Sequence, residues 1–94
     1  MYGQKQKLYQ KLINSQKNVK FKDFITVVEA FGFSLDRIKG SHHTYKHPDV
    51  TEAFLQLQPG KNGEAKPYQI KQFLSLVEEY NLRMDGENED STDD

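Results

Sequence analysis

The stretch "GFSLDRIKGSHHTYKHPD", Gly32 to Asp49, decides the fold of this 94-residue chain. Apolar residues recur at helical spacing before it, whereas short segments within it are separated by residues that interrupt regular structure. The same pattern continues to Gln58, so the sequence predicts three short strands in an antiparallel meander, at residues 33–39, 42–47 and 53–58. In the third strand, Leu55 and Leu57 are expected on the face opposite Phe54.

Amphipathic segments on both sides of this stretch predict helices. Residues 4–14 and 21–32 repeat apolar side chains one helical turn apart, and residues 66–82 do so most clearly, with Pro67 suited to a first turn. The last segment has a stripe of apolar side chains, with Gln69 predicted on its solvent-facing side. The stripe consists of Ile70, Phe73, Leu74, Val77 and Tyr80. We expect an α+β domain with the helices packed on one face of the sheet.

Composition and charge limit the classes of protein that fit. No apolar run approaches the roughly 18 residues of a membrane span, so we expect no membrane partner. A cytoplasmic protein is the default expectation, although the lack of cysteine is compatible with other compartments. The absence of cysteine excludes disulfides and thiolate metal sites. Up to Met84 there are 13 basic and 8 acidic residues, whereas residues 85–94 hold 6 acids and no base. We predict an N-terminal helical extension at 1–19, a basic domain at 20–84 and a disordered acidic tail at 85–94. The tail either solvates the protein or screens a polyanion-binding face.

All three histidines fall within the second predicted strand, between residues 42 and 47. Tyr45 is the bulkiest apolar residue there and is expected to face the helices, with His43 and His47 on its side and His42 exposed on the other. His43 and His47 would be roughly 13 Å apart along the strand. Three histidines on one metal ion must converge to about 2.0 to 2.1 Å, so the sequence predicts neither a metal nor a cofactor.

The surroundings of His42 suit chemistry on a phosphodiester. Imidazole exchanges protons near neutral pH, and RNA supplies its own nucleophile, the 2′-hydroxyl beside each phosphate. Cations that stabilise charge on the phosphorus oxygens are available at Arg37, Lys39 and Lys46. Basic residues beside a histidine also occur on ordinary solvated edges, so composition by itself leaves both interpretations open.

The opening stretch also resembles the signature of the HicA family, small toxins of type II toxin–antitoxin systems. The pattern is GF, a variable segment, an arginine, K-G-S-H-H, and an aromatic residue before H-P. Residues 65–82, "AKPYQIKQFLSLVEEYNL", are similar to the closing helix of a HicA-like subgroup. The resemblance implies a fold like that of double-stranded-RNA-binding domains, to which the first helix is an addition. It further implies metal-independent, ribosome-independent mRNA cleavage, neutralised by a HicB-type antitoxin that covers the active face.

The family pattern can be transferred to individual residues of this chain. It implies that His42 is the catalytic residue, with His43 as the runner-up. The residues expected to bind RNA or phosphate are Arg37, Lys39, Gly40, Ser41, Lys46, Lys66 and Lys71. Unlike many HicA members, this chain has no histidine after the third strand. A non-catalytic RNA-binding module of the same fold is the main alternative, and a protein-interaction domain with an acidic antitoxin partner is the third.

Overall fold

The computed structural model describes residues 3–84, which form three α-helices and one three-stranded antiparallel sheet. The helices are α1 (Gln4–Asn14), α2 (Phe21–Ala30) and α3 (Pro67–Glu79), and the strands are β1 (Ser34–Lys39), β2 (His42–Lys46) and β3 (Phe54–Leu57). The strands lie in the order β1-β2-β3, and a short 3₁₀ turn, Lys61–Gly63, precedes α3. The predicted α+β architecture is confirmed, with each strand one or two residues shorter than expected. The predicted disordered tail, 85–94, lies outside the described residues.

The sheet has one face covered by helices and one open face. Leu55 and Leu57 are completely buried, whereas Phe54 at the start of the same strand is 51 % exposed, so the alternation predicted for β3 is confirmed. Tyr45 of β2 is also buried and joins the same core. Phe73 of α3 lies at the centre of that core and contacts three other rings edge-on. These are Phe24 at 5.7 Å, Phe31 at 5.4 Å and Phe33 at 6.0 Å between ring centroids.

A β-bulge in β1 sets which of its side chains share a face with β2. Leu35 pairs with Tyr45, but Arg37 pairs with Thr44, so the extra residue Asp36 shifts the phase of the strand. Arg37 and Lys39 therefore point to the open face, and Ile38 to the helix side. Without the extra residue, strict alternation from Leu35 would have turned Arg37 and Lys39 toward the helices.

The two N-terminal helices pack on each other and on the core. Leu12 of α1 is 2 % exposed, and the ring of Tyr9 meets Phe31 edge-on at 4.8 Å. The spacing of apolar residues in α2 predicts a buried stripe of Phe21, Phe24, Ile25 and Val28. Phe24 and Val28 are completely buried, whereas Phe21 and Ile25 are only partly so. Val27, outside that stripe, is also completely buried, so the buried face is shifted toward Val27 and shares Phe24 and Val28 with the predicted one. The helix lies against both α1 and α3.

The prediction that Gln69 faces solvent is wrong, because this side chain is 3 % exposed. Its side-chain carbonyl oxygen accepts a hydrogen bond from the backbone N–H of Gln58 at 3.2 Å. That N–H follows the last residue of an edge strand, and a part-buried donor needs an acceptor. A polar residue at the start of α3 is therefore buried in order to satisfy the end of β3.

The starts of α2 and α3 meet at the end of the sheet that carries the β1–β2 turn. The backbone N–H of Ala65 donates to the carbonyl of Val19 at 2.7 Å, and Lys20 forms an isolated bridge with Glu64. β3 reaches the same end, since Leu57 pairs with His43.

Within residues 3–84, no helix has the length and apolar character needed to cross a membrane.

Candidate functional site

The turn between β1 and β2 places His42 at one end of the open face. Gly40, the first residue of the two-residue turn, has a φ of +62°, whereas Ser41 has no positive φ, as a type II′ turn requires. A Cβ at Gly40 would meet no atom within 4 Å, so glycine is needed for its backbone conformation and not for lack of space. His42 begins β2 immediately after the turn and pairs with Lys39.

The predicted sides of β2 are confirmed by burial. His42 and Lys46 are exposed, while Tyr45 is 4 % exposed. Residues directly opposite on paired strands have Cβ atoms about 4.5 to 5.5 Å apart, so Lys39 stands next to His42 on the open face. The structure thus places His42 and Lys39 side by side on the open face, with both residues exposed.

His43 lies on the other side of the strand, packed against α2. Its ring is 5.8 Å from that of Phe21, and its Nδ1 lies 3.0 Å from the carbonyl oxygen of Ser41. A carbonyl only accepts, so Nδ1 carries the proton in this contact and Nε2 is left as an acceptor. His43 is half-buried on the helix side and lies away from the exposed cations.

His47 has both ring nitrogens engaged by the backbone. Its Nδ1 accepts the N–H of Asp49 at 3.1 Å, so Nε2 bears the proton and donates to the carbonyl of Phe31 at 3.1 Å. The imidazole also meets the ring of Phe33 edge-on at 5.3 Å. These contacts join the loop after α2 to the loop after β2. Neither nitrogen is left for a metal or for proton transfer.

Two of the predicted phosphate-binding cations are held by an acid that the sequence had not singled out. Asp36 Oδ2 lies 3.4 Å from Nε of Arg37 and 3.6 Å from Nζ of Lys46. The two basic side chains remain 71 % and 57 % exposed. Such exposed pairs add little stability, but this one holds two cations together on the open face while cancelling part of their charge. The bulge that contains Asp36 had no signal in the sequence.

The two lysines predicted near α3 occupy different positions. Lys66 is the N-cap residue of α3, close to Gly60, at the same end of the domain as the β1–β2 turn. Lys71 is exposed farther along α3, which lies on the covered side of the sheet. The structure therefore does not bring Lys71 to the face that carries His42. Among residues 3–84 there is also no group of three His, Cys, Asp or Glu arranged to hold a metal ion.

A comparison with protein families matches residues 21–78 to the model described as "HicA toxin of bacterial toxin-antitoxin". The match covers more than half of the chain and includes α2, the whole sheet and nearly all of α3.

The chain belongs to the HicA toxin family. It is therefore a toxin of a toxin–antitoxin system, and the family implies an antitoxin as its partner. The resemblance noted in the sequence is confirmed, and α1 lies outside the matched residues. Comparisons with curated proteins and with solved structures gave no significant match.

The open face of this HicA domain also contains a shallow depression of about 370 Å³. It is lined by Asp36, Arg37, Thr44, Lys46, Thr51, Phe54 and Gln56. Arg37 and Lys46 were predicted from the sequence to bind phosphate, and strand alternation placed Phe54 on this face, but no sequence motif marked Phe54, Thr44, Thr51 or Gln56 as functional. All three strands contribute to this lining, and Thr51 comes from the loop between β2 and β3. The register of the sheet brings the strand residues together.

Proposed function

We propose that this HicA toxin is an mRNA endoribonuclease in which His42 acts as a general acid or base without a metal ion. The observation that carries the proposal is the position of His42, which is exposed on the open face next to Lys39. The other two histidines are occupied differently, His43 against α2 and His47 by two backbone hydrogen bonds.

The proposed reaction uses the nucleophile that RNA carries. The 2′-oxygen attacks the adjacent phosphorus, the bond from phosphorus to the 5′-oxygen breaks, and the products are a 2′,3′-cyclic phosphate and a 5′-hydroxyl. His42 either takes the proton of the 2′-hydroxyl or supplies one to the leaving 5′-oxygen, and water completes the other transfer. In this mechanism Lys39 and Arg37 stabilise the negative charge that develops on the phosphoryl oxygens.

The backbone of the β1–β2 turn supports the same assignment. Glycine at position 40 has no side chain to obstruct the approach of a phosphate, and Ser41 offers a hydroxyl beside His42. Lys66 lies at this end of the domain and extends the positive charge. Lys71 is assigned only a distant contribution to RNA attraction, because it lies on the helical layer.

The experiment that tests the proposal is cleavage of one transcript in excess EDTA by the wild type, His42→Ala and His43→Ala. The expected result is cleavage by the wild type and by His43→Ala, and binding without cleavage by His42→Ala. The His43 variant is the matched control, because it removes an adjacent imidazole from the opposite side of the strand. Loss of cleavage in His43→Ala alone would assign the chemistry to the runner-up, and loss of wild-type cleavage in EDTA would refute a metal-independent reaction.

A second candidate is an RNA-binding module of the same fold without catalysis. One observation favours it: among residues 3–84, no hydrogen bond orients the ring of His42. The side chain of a general base is commonly oriented by a hydrogen bond from a neighbouring group. This candidate predicts salt-dependent RNA binding by the wild type and by His42→Ala, with no cleavage by either.

We further propose that the antitoxin is of the HicB type and covers the open face. Acidic side chains on such a partner would complement Arg37, Lys39 and Lys46. The purified antitoxin should then compete with RNA for the toxin, and substitution of Lys39 by Glu should weaken both complexes. Simultaneous binding of RNA and antitoxin to one toxin would contradict this assignment.

A further inference from the structure

Phe54 is an exposed aromatic side chain that the proposed phosphate chemistry does not use. This residue is 51 % exposed on the open face, and it pairs with Lys46 of the neighbouring strand β2. The other large apolar side chains that are exposed within residues 3–84 lie elsewhere: on α1, on α3 and on the helix side of β1. These are Ile13, Tyr68, Leu35 and Ile38.

The surroundings of Phe54 combine an apolar surface with groups that form hydrogen bonds. The same depression contains the side chains of Thr44, Thr51 and Gln56, and its rim carries Arg37 and Lys46. An aromatic face, hydrogen-bonding side chains and cations are the three components with which proteins hold an unpaired nucleotide. The three strands and the loop between β2 and β3 supply them on one surface.

We propose that this depression binds one unpaired RNA base, stacked on Phe54, and so directs the toxin to single-stranded segments of its substrate. Thr44 and Gln56 contact the edge of the base, and Lys46, which pairs with Phe54, contacts a flanking phosphate. The inference rests on the proposed function in one respect only, that the ligand is RNA. It does not require His42 to be catalytic.

Single-stranded RNA fits this surface better than a duplex. In an A-form helix each base is stacked on both sides, so no base face is available to a ring on a sheet. The charge of the face is complementary to a phosphate chain: of the described residues that line the depression, Asp36 is the only acid, against Arg37 and Lys46, and Lys39 lies on the same face. Stacking of one base on an aromatic side chain corresponds to about 5- to 150-fold in affinity.

The position of Phe54 defines what the stacked base does for the reaction. Phe54 pairs with Lys46, which is four residues along β2 from His42, or roughly 13 Å. The base on Phe54 therefore belongs to a nucleotide farther along the strand than the scissile phosphate. It anchors the RNA and selects its conformation while the chemistry occurs at the turn.

The chain contains no tryptophan, which allows a direct test of stacking. Phe54→Trp in the full chain, combined with His42→Ala to prevent cleavage, introduces one fluorophore at the proposed site. A single-stranded oligoribonucleotide is expected to quench its fluorescence. A duplex of equal length and an abasic ribose-phosphate oligomer are expected to leave it unchanged. Ile13→Trp in the same background is the matched control, since it places the fluorophore on α1 and should show no quenching.

Affinities of unlabelled variants separate stacking from general apolar contact. Phe54→Leu is expected to lose about 5- to 150-fold in affinity for the single strand, while Phe54→Tyr retains it. Thermal unfolding should be nearly unchanged in both, because the side chain is half exposed. The inference would be overturned by equal affinity of Phe54→Leu and wild type. It would also be overturned if the fluorescence of the Phe54→Trp variant stayed unquenched while anisotropy showed the oligomer to be bound.

Failure of this inference can be distinguished from failure of the proposed nuclease. Quenching at position 54 without any cleavage by the wild type would support the single-strand site and refute the catalytic role of His42. Cleavage by the wild type without quenching at position 54 would support the proposed nuclease and refute the single-strand site. Absence of RNA binding by the wild type would overturn both.

Discussion

Replacing Asp36 by Asn should make the toxin bind RNA more tightly. The carboxylate lies 3.4 Å from Nε of Arg37 and 3.6 Å from Nζ of Lys46, so it competes with phosphate for both cations. Among Asp36, Arg37, Lys39 and Lys46 the net charge is +2, from three positive groups and one negative group, and the substitution raises it to +3. The amide keeps the size of the side chain and removes only the charge.

The size of the effect follows from the exposure of the pair. Unit charges about 4 Å apart in water interact by about 1 kcal/mol, and measured exposed ion pairs contribute about 0.2 to 1 kcal/mol. The free energy of unfolding should therefore change by less than about 1 kcal/mol. Affinity for a single-stranded RNA at low salt should rise about fivefold, which is the equivalent of 1 kcal/mol. If the released cations gain one phosphate contact, the slope of log affinity against log salt becomes steeper by about 0.7.

The assay is fluorescence anisotropy with a labelled single-stranded oligoribonucleotide between about 50 and 200 mM salt. All variants carry His42→Ala so that the RNA stays intact. Glu78→Gln is the matched control, because it changes the net charge of the chain equally but lies exposed on α3. Equal affinities of the Asp36 and Glu78 variants, or weaker binding by Asp36→Asn, would refute the assignment of RNA to the open face.

Two further predictions concern residues that support the site. His47→Ala should lower the free energy of unfolding by about 2 to 4 kcal/mol, because two hydrogen bonds and an aromatic contact are lost. The measurement is urea unfolding, and a loss below about 1 kcal/mol would contradict the structural role of His47. Burial, with a smaller contribution from Glu29, raises the pKa of Tyr45 above 10.0. The folded state therefore holds this proton more tightly than the unfolded state, so the contribution of Tyr45 to stability should be constant below pH 10 and be lost above it. Tyr45→Phe should flatten that alkaline loss, and an unchanged slope in pH-dependent thermal unfolding would show that another group causes it.

Strong local patterns made several parts of the structure predictable. The bounds of α1 agree with the predicted segment 4–14, and the alternation in β2 and β3 placed Tyr45 and Leu55 inside and His42 outside. Burial in a sheet depends on parity, and parity can be read along a strand without knowledge of its partners. The glycine before Ser41 likewise identified the turn. These patterns located the hairpin, while the roles of its residues in RNA chemistry stay predictions.

Other features depend on contacts between segments that are far apart in the chain. Gln69 is buried because the backbone of Gln58 lacks another acceptor, and no pattern within α3 reveals that need. Val27 is buried because α1 and α3 both pack against α2. The sequence of each helix shows an apolar stripe but not the number of neighbours that will cover it.

The sequence by itself determined the family signature, the order of the elements and the exposed side of β2, because each of these is written in local spacing and residue type. Only the tertiary structure decided that Arg37 and Lys39 share the face of His42, since the bulge at Asp36 exists only in the pairing of β1 with β2. It also decided that Phe54 lies among those cations. A one-residue change in register reverses the side of every following residue, and register is a property of paired strands and not of one strand alone.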